Sequence, residues 1–144
     1  MVNIHVEYVI DKPAEEVFDA ITDHESYTRF SGFDRAELLE EGQPHRNGVG
    51  AVRLLAAGRT RFRERITAFE RPVHMGYLVE EMRPIPLRHE RGDIRMETVE
   101  GGTKVTWISE GRIPIPILGA LLGPAAARRG SAAFLGILKQ IERS

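Results

Sequence analysis

The last third of the chain limits its fold more than any other stretch. Leu87 to Arg112 reads as a long β-hairpin, followed by a Pro/Gly-rich joint and an apolar terminal helix rich in small residues. Apolar and wet positions alternate through Thr103-Lys104-Val105-Thr106-Trp107-Ile108-Ser109-Glu110, the period of a strand with one face on a core. Gly101-Gly102 supplies residues tolerant of positive φ for a tight turn. Closed there, the hairpin pairs Thr98 with Val105, Met96 with Trp107 and Ile94 with Ser109 on one face. The other face pairs Glu97 with Thr106 and Arg95 with Ile108. A row this long has to lie against something, and the helix that follows is the available filler. Gly119, Gly123, Gly130 and Gly136 each cost that helix about 1 kcal/mol relative to Ala. Either empty space beneath the helix or close helix–sheet contact would account for them.

The 144 residues read as one domain, residues 1–144. A formal net charge of −1 gives no global field toward nucleic acid or an anionic membrane. Without cysteine, disulfides, thiolate catalysis and zinc–sulfur sites are excluded. The start, Met1-Val2-Asn3-Ile4-His5-Val6, already alternates like a strand and is not a signal peptide. The longest apolar run, Ile113 to Ala127, is broken by Pro114, Pro116 and Pro124, so no transmembrane segment is expected. A cytoplasmic location is the default expectation.

Val2 to Ile10 alternates as a first strand, and Pro13 opens a helix that turns Ala14, Val17, Phe18 and Ile21 inward. Thr22 and Glu25 have capping-box spacing, which predicts a second short helix ending by Ser31-Gly32. Strands follow: Arg35–Glu41, Ala51–Ala56 and Thr60–Glu70 around Gly58, then Val73–Met82 after Arg71-Pro72. The turn at Pro72 pairs Glu64 with Val79 and Ile66 with Tyr77 on the apolar face, and Arg63 with Glu80 on the wet one. In the terminal helix, Ala127, Gly130, Phe134, Ile137, Leu138 and Ile141 form the apolar stripe. Leu118 to Gly123 would be an extra turn set off by a kink at Pro124.

This order, with Val9-Ile10-Asp11-Lys12-Pro13-Ala14-Glu15-Glu16-Val17-Phe18, Asp23, Gly102-Thr103-Lys104-Val105-Thr106-Trp107 and Leu138-Lys139-Gln140-Ile141-Glu142, resembles the START-like superfamily. The resemblance is to its polyketide cyclase/dehydrase and lipid-transport (SRPBCC) branch and covers nearly the whole chain. It implies an α+β helix-grip fold: a curved antiparallel seven-stranded sheet wrapped around a long C-terminal helix, with two short helices after the first strand. It also implies a single ligand-binding domain enclosing an apolar pocket. The branch often carries a tryptophan after the second short helix, where this chain reads Tyr27-Thr28-Arg29-Phe30. Its members include carriers, aromatase/cyclases and proteins of no known activity, so the fold does not carry the function.

The sequence has no phosphate loop, nucleophile elbow or His-Glu-x-x-His pair. His5, His24, His45, His74 and His89 are dispersed without metal-ligand spacing, so no metal or cofactor is expected. Polar groups on inward strand faces remain, and Glu64 and Tyr77 are the catalytic candidates. Buried alone between Phe62 and Ile66, Glu64 would have a raised pKa suited to a general acid or base. Paired with an arginine, or wet at a pocket mouth, it would be structural. A bulge at Gly92 would turn Leu87, His89 and Arg91 inward, and Arg91 could then neutralise Glu64 or hold an anionic ligand. Arg61, Arg63 and Arg65 alternate, but Glu80 faces them, so nucleic acid is not an expected partner. The inward faces and the helix stripe give the candidate ligand-binding set: Val52, Leu54, Phe62, Glu64, Ile66, Tyr77, Val79, Ile94, Met96, Trp107, Ser109, Gly130, Phe134 and Leu138.

Three functional readings follow. The first is a carrier or sensor holding a hydrophobic or amphipathic small molecule (lipid, isoprenoid or polyketide-like) between sheet and helix. The second is a cyclase/dehydratase-type enzyme using the same polar groups. The third makes the apolar Ile113 to Leu122 segment a homodimer or membrane-surface patch.

Overall fold

The computed structural model describes residues 1–144. Seven antiparallel strands form one sheet in the order β1-β7-β6-β5-β4-β3-β2. They are β1 (Val2–Ile10), β2 (Arg35–Glu40), β3 (Val52–Ala57), β4 (Thr60–Glu70), β5 (His74–Arg83), β6 (Arg88–Val99) and β7 (Gly102–Arg112). Helix α1 (Ala14–Thr22) and a 3₁₀ helix (His24–Arg29) carry the chain from one sheet edge to the other. Helix α2 (Leu118–Arg143) then lies across the concave face. Two contacts tie down its end: Tyr8 donates to Glu142 (2.6 Å) and Gln140 accepts from the Ser31 amide (2.9 Å).

The alternation in β7 holds: Val105, Trp107 and Ser109 are buried while Lys104 and Thr106 lie on the opposite, half-exposed face. Trp107 stacks on Phe134 of α2 with ring centroids 4.1 Å apart. The pairing of β6 with β7 differs from expectation by two residues. Val99 pairs with Gly102, so Glu100-Gly101 makes the turn, and Met96 meets Val105 while Ile94 meets Trp107. A two-residue shift preserves the faces, so burial survives although every pair changes. Glu64 pairs with Val79 and Ile66 with Tyr77 as expected. On the wet face Arg63 pairs with Glu81, because a bulge intervenes, and Glu80 sits between Arg63 and Arg65 at 3.6 and 3.0 Å.

Three local expectations are corrected. The Thr22/Glu25 capping box does not form; Thr22 Oγ1 donates back to the Phe18 carbonyl at 2.9 Å. The bulge in β6 lies between His89 and Arg91 rather than at Gly92. It turns His89 inward and leaves Arg91 outward, ion-paired with Asp93 and Glu110. Helix α2 is continuous through Pro124, which sits in its second turn, where the carbonyl deprived of a donor belongs to the exposed Ala120. Two of its glycines answer the packing question: a Cβ on Gly119 would collide with the Ile113 carbonyl, and one on Gly130 with the Ile4 side chain. Close contact with β1 and the joint, more than empty space, keeps them small.

Candidate functional site

Between the concave sheet face and α2 lies a cavity of about 220 Å³. Val2 and Ile4 of β1, Phe62, Val79, Leu87, Ile113, and Ala126, Phe134 and Ile137 of α2 make its walls apolar. Larger depressions, such as one of about 450 Å³ beside Asp11–Glu15, are open and lined by mostly polar residues. They lack the enclosed apolar wall that would desolvate a ligand.

Four polar side chains enter the cavity: Glu64, Tyr77, His89 and Ser109. Their hydrogen bonds have a defined direction. Strands β5 and β6 pair only from His74–Tyr77 to Gly92–Arg95 and then separate. His89 fills the resulting gap, its Nδ1 accepting the Val79 backbone N–H at 3.0 Å. In the neutral ring Nε2 therefore carries the proton, which it donates to Ser109 Oγ at 2.8 Å. Burial pushes the His89 pKa down to about 4, so the ring stays neutral near pH 7. A histidine that donates to a serine cannot also take its proton. Ser109 and His89 are thus no nucleophile–base pair.

Tyr77 lies over Gly92, where a Cβ would come within 2.7 Å of the ring. Its oxygen accepts the Trp107 indole N–H at 2.9 Å. Burial and the neighbouring charge of Glu64 raise its pKa well above the ordinary phenol value. Tyr77 is therefore a hydroxyl donor, not a phenolate base.

Glu64 is not alone. Arg53 Nε and Nη2 both reach Glu64 Oε1, at 2.7 and 2.6 Å, while Oε2 makes no hydrogen bond. The Arg53 and Glu64 side chains are 2% and 7% exposed. Burial opposes the arginine's charge, but Glu64 and Tyr27 outweigh it and hold its pKa above the ordinary value. Arg53 also lies 4.6 Å from the Tyr27 ring centroid and donates through Nη1 to His24 Nδ1 at 3.0 Å. His24 in turn bonds the Asn47 carbonyl through Nε2 at 3.1 Å. Its pKa is lowered to about 3 by burial and by the charge of Arg53. The arrangement runs from the loop before β3 to the cavity floor, and it leaves one carboxylate oxygen unsatisfied at the cavity.

Of the residues singled out by sequence, Phe62, Glu64, Tyr77, Val79, Ser109, Gly130 and Phe134 line this cavity. Ile66, Ile94, Met96 and Leu138 are spent in the packed core, and Trp107 stands behind Phe134 and Tyr77. Val52 and Leu54 are a correction of phase. They pair with Arg65 and Arg63, on the face opposite Glu64, whereas Arg53 and Leu55 point inward. Arg53 and His24 were missed as inward groups, although the tight turn at Gly58-Arg59 pairs Ala57 with Thr60 and so sets Arg53 against Glu64. Val2, Ile4, Leu87 and Ile113 complete the wall without having been singled out as ligand contacts.

The family described as polyketide cyclase/dehydrase and lipid transport matches residues 1–143. The chain belongs to that family. Among solved structures, TTHA0849 from Thermus thermophilus superposes with a TM-score of 0.77 at 19% identity, covering 98% of this chain and 94% of that one. The Zhui aromatase/cyclase from Streptomyces sp. R1128 gives 0.73 at 21% identity, over 98% and 93% of the two chains. A START superfamily protein from Mycobacterium smegmatis gives 0.71 at 10% identity, over 98% and 97%. At these identities the likeness is one of fold. No curated protein matches the sequence. No helix is long and apolar enough to cross a membrane.

Proposed function

We propose that the protein binds one compact, neutral amphipathic molecule in the cavity, as a carrier or sensor. The observation that carries this reading is the pairing of an apolar wall with two outward valences at one end: the Tyr77 hydroxyl and the free Glu64 Oε2. Burial of rings or short hydrocarbon would supply affinity, and those two groups would orient the polar end. An engineered cavity of roughly 150 Å³ takes a benzene ring, so about 220 Å³ favours a one- or two-ring compound over a long-chain lipid. A carboxylate ligand is disfavoured because it brings only acceptors to the acceptor oxygen of Glu64, whereas a neutral hydroxyl can donate to it. Native mass spectrometry of protein from its own host tests this. One small-molecule adduct is expected, absent from Ala126→Leu, which fills the cavity from α2. An adduct retained by that variant would place the ligand elsewhere.

A cyclase/dehydratase-type activity is the second reading, favoured by the convergence of Glu64 and Tyr77 on one cavity. Glu64 Oε2 would take a proton from an enolisable carbon while Tyr77 hydrogen-bonds the enolate oxygen. The Glu64 carboxylate is already engaged by two Arg53 donors in a buried ion pair, which is why binding is preferred. Hydrogen–deuterium exchange into a bound aryl ketone, followed by NMR, separates the readings. Exchange no faster than in buffer is expected, and Glu64-dependent exchange would favour the enzyme.

A further inference from the structure

The junction of β7 with α2 holds three apolar side chains out in solvent. Ile117, Leu121 and Leu118 are 82%, 71% and 45% exposed. Ile117 has φ 67° and ψ −59°, and the Leu118 N–H donates to the Pro116 carbonyl at 2.7 Å, which makes a γ-turn of the rare, strained kind. A β-branched residue at positive φ is a genuine outlier. The chain thus carries local strain in a conformation whose visible result is an isoleucine standing in water. Leu118 and Leu121 continue that surface along one face of α2, with Arg128 further along it and Arg129 beside it, both exposed.

The charge of the segment that carries this surface is one-sided. From Gly111 to Ile141 the chain has Arg112, Arg128, Arg129 and Lys139 and no acidic residue. Arg88 and Arg112 sit directly opposite each other on β6 and β7, a destabilising like-charge pair. Together with Ile113–Pro116 they line a notch of about 340 Å³. Arg63, Arg65, Arg71 and Arg91 all have carboxylate partners, whereas Arg88, Arg112, Arg128 and Arg129 have none within 4.0 Å. Two opposed, unpaired arginines beside an exposed apolar prong call for an anion with hydrocarbon attached to it. A second copy of the same surface would bring arginine against arginine.

We propose that this surface docks on an anionic phospholipid bilayer, with Ile117, Leu118 and Leu121 entering the interface and lipid phosphate seated between Arg88 and Arg112. Ile113 lines both the notch and the cavity, so docking places that side of the cavity near the bilayer. The proposal stands independently of what the cavity holds.

Co-sedimentation with phosphatidylglycerol/phosphatidylcholine vesicles and with pure phosphatidylcholine vesicles tests it, at low and high salt. Binding to the anionic vesicles is expected, weakening with salt, and little to the neutral ones. Near an anionic surface each arginine contributes about fivefold in affinity, so Arg88→Gln/Arg112→Gln should lose more than tenfold. Ile117→Gly relieves the positive φ, so its melting temperature should stay at or above wild type while vesicle binding falls. Leu121→Gln should lose binding in parallel. The proposal is overturned if wild type ignores anionic vesicles, or if Ile117→Gly and Leu121→Gln bind as wild type does. It is also overturned if sedimentation velocity shows a dimer that Leu121→Gln dissociates, with no vesicle binding.

Discussion

Replacing Glu64 by glutamine tests the buried network most sharply. The guanidinium of Arg53 is 2% exposed, and both of its bonds to Glu64 end on a single oxygen. Glutamine keeps an acceptor in place but removes the compensating charge. Breaking a buried pair in this way costs roughly 3–5 kcal/mol; the cavity beside Glu64 admits some relaxation, which points to the lower end. Arg53→Met should cost a similar amount, since it leaves the Glu64 carboxylate and His24 Nδ1 without their donor. The double variant Arg53→Met/Glu64→Gln removes both charges and orphans mainly His24 Nδ1, about 1–3 kcal/mol. A double-mutant cycle by urea denaturation should therefore give a coupling energy of at least about 3 kcal/mol, with little change in m. Additive losses, with the double variant as damaged as the sum of the singles, would refute the reasoning.

The two depressed histidines predict acid sensitivity. His24 and His89 are neutral when folded, with pKa values of about 3 and about 4, and regain an ordinary value of roughly 6.5 on unfolding. Their contribution is present above the ordinary value of roughly 6.5 and is lost as pH falls through about 4 for His89 and about 3 for His24, by up to about 1.4 kcal/mol per pH unit for the fully buried His24. Urea midpoints at pH 7 and 4.5 should differ less in His24→Asn than in wild type; equal differences would contradict this. Gly136→Ala meets open space and should raise stability by about 1 kcal/mol, whereas Gly119→Ala should lower it against the Ile113 carbonyl, both read by thermal melts. Gly92→Ala should displace Tyr77 from above the strand, break its bond to Trp107 and shift the emission of this single tryptophan. An unchanged spectrum would mean that Tyr77 does not depend on Gly92 for its place.

The parts of the fold legible in the sequence are those where one face is strongly apolar. Val2–Ile10, the inward face of α1 and the buried side of β7 follow from periodicity alone, because a one-residue slip would exchange core for solvent. Exact pairing is weaker information. Gly101-Gly102 fits the expected turn, but Gly101 at φ 90° serves equally as the second residue of a Glu100-Gly101 turn, and the faces do not change. In β3 periodicity fails, because Val52, Leu54 and Leu55 are apolar on both sides of Arg53 and its inward direction leaves no trace in hydropathy. Only the short turn at Gly58-Arg59, counted residue by residue, exposes the Arg53–Glu64 pairing. The candidate site was legible through Glu64, Tyr77 and Ser109, since polar residues on an apolar face stand out. His24 was not, because its partners come from a loop and a distant strand.

The central claim is that the cavity takes a neutral ring compound whose polar end meets Glu64 and Tyr77. Isothermal calorimetry with 2-naphthol and 2-naphthoate, similar in size but neutral and anionic respectively at pH 7, tests it on wild type and Glu64→Gln. Wild type should bind one naphthol and hold naphthoate at least about tenfold more weakly, a difference of roughly 1.4 kcal/mol. Glu64→Gln leaves Arg53 uncompensated, so the preference should invert toward naphthoate. Equal affinity of wild type for the two compounds, or saturable binding of neither, would contradict the claim.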